Sequence, residues 1–245
     1  MERTALLYDV HAPYHEPDAY NLALDYLKAL KPKVNRIVLA GDYADFYQIS
    51  FWKNDEKRME FEDEVNEVGS MLQDLRRKFY RVSIDYLEGN HEQRLFRYLR
   101  DKAPDLAFRN SIEDVLGLRK RNINYISNIG LICSGGQPYK LGKLNVLHGH
   151  EKKVSFGAVN LARLFYLRCK VNVIAGHHHK SDYSLVKKKN LRSGLMKKPI
   201  NLIANINSFF LGTLISCVRL RYLNTRVIKK LAANKRKYVA RQMLK

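Results

Sequence analysis

Short apolar runs alternate along this chain with longer segments in which apolar residues recur at helical spacing. The short runs have the length and β-branched content of strands and lie at residues 4–9, 36–41, 82–88, 144–148 and 171–176. The longer segments are typical of amphipathic helices and lie at residues 18–30, 55–79, 93–99 and 159–167. Because strands and helices alternate, the pattern predicts an α/β layered fold with a site outside the carboxyl ends of the strands.

The apolar positions of the first two helical segments predict which faces are buried. In the first helix the predicted stripe consists of Leu22, Tyr26, Leu27 and Leu30, and Pro32 ends the helix. In the second helix, over residues 55–79, the stripe consists of Met59, Val65, Val68, Leu72, Leu75 and Phe79. This longer helix is expected to pack against the sheet.

Polar motifs follow directly after five of the apolar runs. In chain order they are Asp9-Val10-His11, Gly41-Asp42, Gly89-Asn90-His91-Glu92, His148-Gly149-His150 and Gly176-His177-His178-His179. Each motif alone is common in turns and helix caps, but five in this order favour one shared site. Asp, His and Asn ligands with no cysteine among them suit Mn, Fe, Co, Ni or Zn. The motifs therefore predict a two-metal hydrolytic site.

In order and composition the motifs resemble those of the calcineurin-like metallophosphoesterases, and they span residues 9–179, most of the chain. The resemblance implies two divalent ions, with manganese favoured, in two facing mixed β-sheets flanked by helices. It implies that one metal is held by Asp9, His11, Asp42 and His179, and the other by Asp42, Asn90, His148 and His177. Asp42 is then the shared ligand. The implied activity is hydrolysis of a phosphate ester by metal-activated water.

The resemblance places His91 beside the metals without binding them, where it can contact the substrate or protonate the leaving oxygen. Elementary chemistry agrees, because a carboxylate between two dications offsets their repulsion and an imidazole titrates in the range useful to a general acid. Asp45 either orients a ligand histidine through a hydrogen bond or caps a turn or helix. Glu92 is expected to start a helix and to fix its loop.

Aromatic residues follow the second motif and allow two interpretations. They are Tyr43, Phe46, Tyr47, Phe51 and Trp52. As a wall of the cleft they would stack nucleotide bases, whereas as core residues they would only pack the fold. His150 and His178 receive no role and are expected to be solvated or hydrogen-bonded.

Chain length and cysteine content predict the domain number and the cellular compartment. A chain of 245 residues with 46% hydrophobic residues is compatible with one α/β domain. The start shows no signal peptide, and the 3 cysteines are scattered and odd in number. These features predict reduced thiols and a cytoplasmic location. The chain most resembles bacterial or phage members of the family, which implies the cytoplasm of a bacterial or phage-infected cell.

Positive charge is concentrated in the C-terminal quarter. Residues 183–245 contain 16 Lys or Arg and no Asp or Glu, while residues 1–182 contain 28 basic and 24 acidic residues. One interpretation is that the segment neutralises nucleic-acid phosphates. The other is that it is not a selected binding surface, because an altered reading frame or a degenerated tail would give the same composition. No alternating strand pair with turn signals is evident after Tyr183. The uncharged residues 200–218 are expected to form buried strands rather than a membrane span, because asparagines interrupt them.

The sequence thus predicts a catalytic domain at residues 1–182 and a basic segment at residues 183–245 that partly completes the fold or is an atypical tail. The expected function is a dinuclear-metal phosphoesterase, acting on a mono- or diester, with nucleic acid or nucleotide as the favoured substrate class. The alternative is a nucleic-acid-binding protein whose metal site is structural or weakly active. The presence of Asp42 and His91 argues against that alternative, since binding alone requires neither.

Overall fold

A computed structural model describes residues 3–51, 58–107, 110–127, 138–152, 160–179, 182–186, 201–205 and 216–217. In chain order its elements are β1 (Thr4–Leu7), α1 (Pro17–Ala29), β2 (Arg36–Ala40), α2 (Phe61–Lys78), β3 (Ser83–Leu87), α3 (Gln93–Lys102), α4 (Ile112–Val115), β4 (Asn124–Ile126), β5 (Tyr139–Leu141), β6 (Leu144–Val146), α5 (Leu161–Cys169), β7 (Val173–Ile174), β8 (Asp182–Val186), β9 (Asn201–Asn205) and β10 (Ser216–Cys217). Short 3₁₀ turns lie at Pro104–Leu106 and Arg119–Arg121.

Two mixed sheets form the centre of the fold. The first has the order β10-β1-β2-β3-β4, in which β1 to β4 are parallel and β10 runs antiparallel to β1. The second has the order β5-β6-β7, with β5 antiparallel and β7 parallel to β6. All five strands predicted from apolar runs are present, β4 and β5 are additional, and β10 lies in the stretch 200–218, for which buried strands were expected.

Side chains alternate between the two faces of the first sheet. In β2, Val38 and Ala40 join the core between the sheets, whereas Ile37 and Leu39 face the core that includes α1 and α2. Both faces are buried, which is why these strands are continuously apolar in sequence. A third core contains Leu147, Ala162, Phe165, Val173 and Ala175, and packs α5 against the second sheet. The prediction of two facing mixed sheets flanked by helices is confirmed.

The buried face of α1 differs from the predicted stripe. Leu22 and Tyr26 are 60% and 40% exposed, and the buried residues are Ala19, Tyr20, Ala23, Leu24 and Leu27. The prediction counted only large side chains, but alanine lets the helix approach the sheet closely. The hydroxyl of Tyr20 is hydrogen-bonded to that of Tyr43 at 2.7 Å, and this contact also holds the Tyr20 face of α1 against the core.

The second helix begins at Phe61 rather than at residue 55. Residues 52–57 lie outside the described part, but residues 58–60 are not helical and Glu60 is extended. The guanidinium of Arg58 lies 4.4 Å from the ring centre of Tyr14 and 4.2 Å from that of Tyr47. These cation–π contacts hold the segment against the site loops and explain why local periodicity overextended the helix.

A strand pair follows the last motif although the sequence shows no alternating pair with turn signals there, and its second strand lies in the stretch 200–218, for which buried strands were expected. Strands β8 and β9 are antiparallel, with Asp182 opposite Asn205 and Val186 opposite Asn201. Residues 187–200 separate them, so no short turn signal marks the pair. A carboxylate oxygen of Asp182 accepts a hydrogen bond from the backbone N–H of Ala162 at 3.0 Å, next to the start of α5.

The stretch 200–218 contributes β9 and the two-residue strand β10, and its other residues lie outside the described part. In the described ranges, each helix is too short or too polar to cross a membrane. The basic run 219–245 also lies outside them.

Candidate metal centre

The parallel strands deliver the five motifs to one end of the sandwich. Strands β1, β2 and β3 end just before the first three motifs, while β6 and β7 end just before the last two. Hydrogen bonding between neighbouring chain segments continues past the strand ends: the N–H of His11 donates to the carbonyl of Asp42 at 2.9 Å, and that of Gly176 donates to the carbonyl of His148 at 2.7 Å. The loops are therefore held in register with the sheets.

One cluster joins the first and last motifs. Asp9, His11 and His179 each offer a ligand atom, and these atoms lie within 4.8 Å of one another. The Nε2 atoms of His11 and His179 are 3.4 Å apart, and Nε2 of His179 is 3.9 Å from Oδ1 of Asp9. These are three of the four ligands expected for the first metal.

A second cluster contains Asp42, His148 and His177, whose ligand atoms also lie within 4.8 Å of one another. Nε2 of His148 is 3.1 Å from Oδ2 of Asp42 and 3.0 Å from the amide oxygen of Asn90. The four residues expected for the second metal are therefore adjacent in space.

Asp42 belongs to the second cluster and also interacts electrostatically with the first. Burial alone would raise its pKa, but His148, His91 and His11 hold the pKa well below its usual range. His148 belongs to the second cluster and His11 to the first, so residues of both clusters lower the pKa of this carboxylate. That Asp42 bridges the two metals stays a prediction.

The histidine ligands differ in charge. Burial and the neighbouring His148 lower the pKa of His177 to about 3, and burial and His11 lower that of His179 to about 4. Burial also favours the neutral form of His148, but Asp42 and other nearby carboxylates outweigh it and raise the pKa to about 10. Because a metal binds the neutral ring, metal binding at His148 must displace its proton.

Backbone strain is concentrated at these residues. A positive φ of 50–67° occurs at Asp9, His11, Asp42, His177 and His179. Left-handed backbone is uncommon for residues other than glycine and is typical of functional sites that the surrounding fold holds in place.

The motif glycines let the ligands approach one another. Gly41 has a φ of 94°, and a Cβ there would lie 2.4 Å from Nδ1 of His148. At Gly89 a Cβ would lie 2.2 Å from Oδ1 of Asp42. A side chain at either position would push a ligand out of its cluster.

Asp45 connects the metal ligands to His91. Its Oδ2 lies 3.1 Å from Nδ1 of His11, which agrees with the interpretation that Asp45 orients a ligand histidine. Its backbone carbonyl oxygen lies 3.0 Å from Nδ1 of His91. On the opposite side of the ring, Nε2 of His91 is 3.7 Å from Oδ2 of Asp42 and therefore faces the clusters.

Glu92 fixes the loops, as the sequence suggested. Its carboxylate accepts hydrogen bonds from the N–H groups of Asp42, Tyr43, Ala44 and Gly89 at 2.7–3.1 Å and from the hydroxyl of Tyr86 at 2.8 Å. Helix α3 begins at the next residue. One carboxylate thus ties together the loops after β2 and β3.

Sequence reasoning missed two residues of the site, Glu151 and Arg94. Glu151 accepts hydrogen bonds from the N–H of His148 at 2.9 Å and of Gly149 at 2.6 Å. An acid directly follows His150 just as Glu92 follows His91, and this repetition was an available signal. Arg94 contacts both Asp45 and His91, and only its spacing of three residues from His91 could have indicated that.

The aromatic residues after the second motif are divided between core and surface. Tyr43 and Phe46 are buried, Phe51 is fully exposed, and Trp52 lies outside the described residues. Tyr47 is half-buried under Arg58. His178 is buried with its ring centre 5.5 Å from that of Phe165, so of the two alternatives expected for this residue, solvated or hydrogen-bonded, exposure to solvent does not apply.

The donor set fits borderline divalent metals, since it combines carboxylates, imidazoles and one amide oxygen. A sequence model of the calcineurin-like phosphoesterase family matches residues 3–181. No curated protein matches the chain.

Among solved structures, the chain is similar to the nuclease MPE of Pseudomonas putida at 15% identity and a TM-score of 0.36. The similarity covers 72% of this chain and 61% of the nuclease, so the chain matches less than two thirds of that protein. The family match instead covers well over half of the chain. On that match, the chain belongs to the calcineurin-like phosphoesterases, which are metal-dependent hydrolases of phosphoesters.

Proposed function

We propose that the chain hydrolyses a phosphate mono- or diester with two divalent metal ions, one bound by Asp9, His11 and His179 and the other by Asn90, His148 and His177, with Asp42 shared. The observation that carries this proposal is the buried carboxylate of Asp42, which belongs to the second cluster and whose pKa is also lowered by His11 of the first cluster. When bound, two such metals acidify water and neutralise charge on phosphate oxygens.

The protein's own residues supply the remaining steps. Asp45 and Glu92 hold the loops, so that the ligands keep their positions during turnover. His91 presents Nε2 towards the cluster side of the site, where it can protonate the leaving oxygen.

The proposed substrate class is nucleic acid or nucleotide. The excess of basic residues after residue 182 favours a polyanion. Arg58, stacked on Tyr14 and Tyr47 in the loops after the first two motifs, adds positive charge and aromatic surface near the clusters. The scattered cysteines favour a cytoplasmic location.

The test compares hydrolysis of a nitrophenyl phosphodiester, a nitrophenyl monoester, and single- and double-stranded DNA, with manganese first and zinc, iron, nickel and cobalt in turn. Hydrolysis of at least one ester that depends on added metal is expected. Binding of DNA without hydrolysis of any ester, by protein that retains two metals, would favour a binding protein with a structural or weakly active metal site.

Replacing Asp42 by Asn tests the shared ligand, because it removes the charge at nearly constant shape. Activity is expected to fall by orders of magnitude, and elemental analysis should find that at least one metal is lost. Asp25→Asn is the matched control, since the side chain of Asp25 is 66% exposed on α1. Two metals per chain with full activity in Asp42→Asn would rule out the bridging role.

A further inference from the structure

Arg94 lies in the first turn of α3 and reaches back into the site. Its Nη1 donates to the backbone carbonyl of Asp45 at 2.8 Å and to Oδ1 of the same residue at 3.1 Å. The side chain is only 16% exposed. Asp45 therefore anchors one half of the guanidinium.

The other half of the guanidinium contacts His91. Nη2 of Arg94 lies 3.1 Å from Nε2 of His91. Because guanidinium has only donors, Nε2 accepts this hydrogen bond, and the ring hydrogen resides on Nδ1, which faces the Asp45 carbonyl. Nε2 is also the ring nitrogen that faces Asp42. Nη2 thus occupies the place at which an oxygen of the substrate would meet His91.

We propose that Arg94 is a substrate-binding residue whose Nη2 leaves Nε2 of His91 to donate a hydrogen bond to a non-bridging oxygen of the substrate phosphate. The proposal rests on the proposed function, which puts the phosphate beside His91. It adds a residue from α3 that none of the five motifs contains.

The exchange of partners is favourable on chemical grounds. A hydrogen bond from guanidinium to an anionic phosphate oxygen is about twice as strong as one between neutral partners. The two bonds from Nη1 to Asp45 can persist, so only Nη2 has to change its partner. Nε2 of His91 is then released from this donor, so it can carry a proton taken from solvent and give it to the leaving oxygen. Lysine offers no such fork of donors and could not contact Asp45 and the phosphate in the same way, so it should bind phosphate less well than arginine.

The probe is inorganic phosphate, titrated calorimetrically into the full-length protein loaded with zinc. Arg94→Ala is expected to raise the dissociation constant for phosphate by about 10- to 100-fold, because it removes one hydrogen bond to a charged group. Arg94→Lys should retain part of the affinity and serves as a second variant in case the alanine variant does not fold. The matched control is Arg100→Ala, whose guanidinium lies on the same helix, 60% exposed and paired with the neighbouring Asp101. This control should leave phosphate binding unchanged.

The same titrations in a His91→Gln background separate two roles for Arg94. If Arg94 contacts phosphate directly, its removal weakens phosphate binding in this background too. If the effect disappears when His91 is absent, Arg94 acts only by holding His91 and the proposal is wrong. Unchanged phosphate affinity in Arg94→Ala, or loss of metal from that variant, would also overturn it. Because phosphate binding is measured without turnover, the result is independent of whether any ester is hydrolysed.

Discussion

His91 is hydrogen-bonded at both ring nitrogens, Nδ1 to Asp45 and Nε2 to Arg94, and its Nε2 also faces Asp42. Replacing it by Gln should leave both metals bound, since no predicted ligand is removed, and should slow turnover by about 10²–10⁴-fold. Esters with good leaving groups need little protonation, so the loss should be smaller for them. Rates for a series of aryl esters, together with metal content, measure this. An equal loss for good and poor leaving groups would argue against the acid role.

The side chains of the site divide into those that sequence could identify and those that it could not. The seven predicted ligands directly follow strands, so parallel pairing implied their proximity within each sheet, and the facing of the two sheets came from the family resemblance. Glu151 and Arg94 act through hydrogen bonds to neighbours that are defined only in three dimensions. Tyr43 and Phe46 were ambiguous, because a buried aromatic residue and a cleft-lining one look alike in sequence.

The junction of β3 and α3 depends on Glu92, whose carboxylate accepts hydrogen bonds from two loops. In Glu92→Gln, an amide group replaces one oxygen and leaves at least two buried N–H groups without an acceptor. Each costs about 1–3 kcal/mol, so the free energy of unfolding should fall by about 2–6 kcal/mol. Urea denaturation should show a lower midpoint, and metal content should fall because Asp42 and Gly89 lose their support.

Glu62→Gln is the control for this change, because Glu62 is an exposed acid in the first turn of α2. Its unfolding midpoint should stay near that of the unchanged protein. A stability of Glu92→Gln equal to that of the control would show that the carboxylate is not needed to fix the loops.

The strands that end at the site motifs could be predicted from the sequence, whereas the other strands of the two sheets were harder to predict. β1, β2 and β3 have four or five residues and are buried, so their apolar runs are distinct. β4 and β5 are exposed or only partly buried at each of their three positions, so no distinct apolar run marks them in the sequence. β9 pairs with β8 across residues 187–200, a separation that no local turn signal could reveal.

At the scale of the whole molecule, charge is separated along the chain. Residues 219–245, outside the described part, carry ten Lys or Arg and no acid. If this run binds nucleic acid, its deletion should weaken DNA binding. It should also flatten the dependence of log affinity on log salt by roughly one unit for each phosphate that is no longer neutralised. Binding titrations at several salt concentrations measure both effects.

The truncated protein should still bind two metals and hydrolyse a small diester, because every predicted ligand lies before residue 180. Unchanged DNA affinity and salt dependence after the deletion would instead support the interpretation of an incidental or altered C-terminal segment.

The first ligand cluster also constrains when the enzyme becomes active during its synthesis. His11 and His179 touch across a separation of 168 residues. Ribosomes add about 5–20 residues per second, so Asp9 and His11 wait on the order of ten seconds or more for their last partner. Until then the nascent chain contains Asp9 and His11 but lacks the third ligand of that cluster. If this cluster binds a metal as proposed, its loading is therefore a late event, coupled to translation of the second sheet rather than of the first.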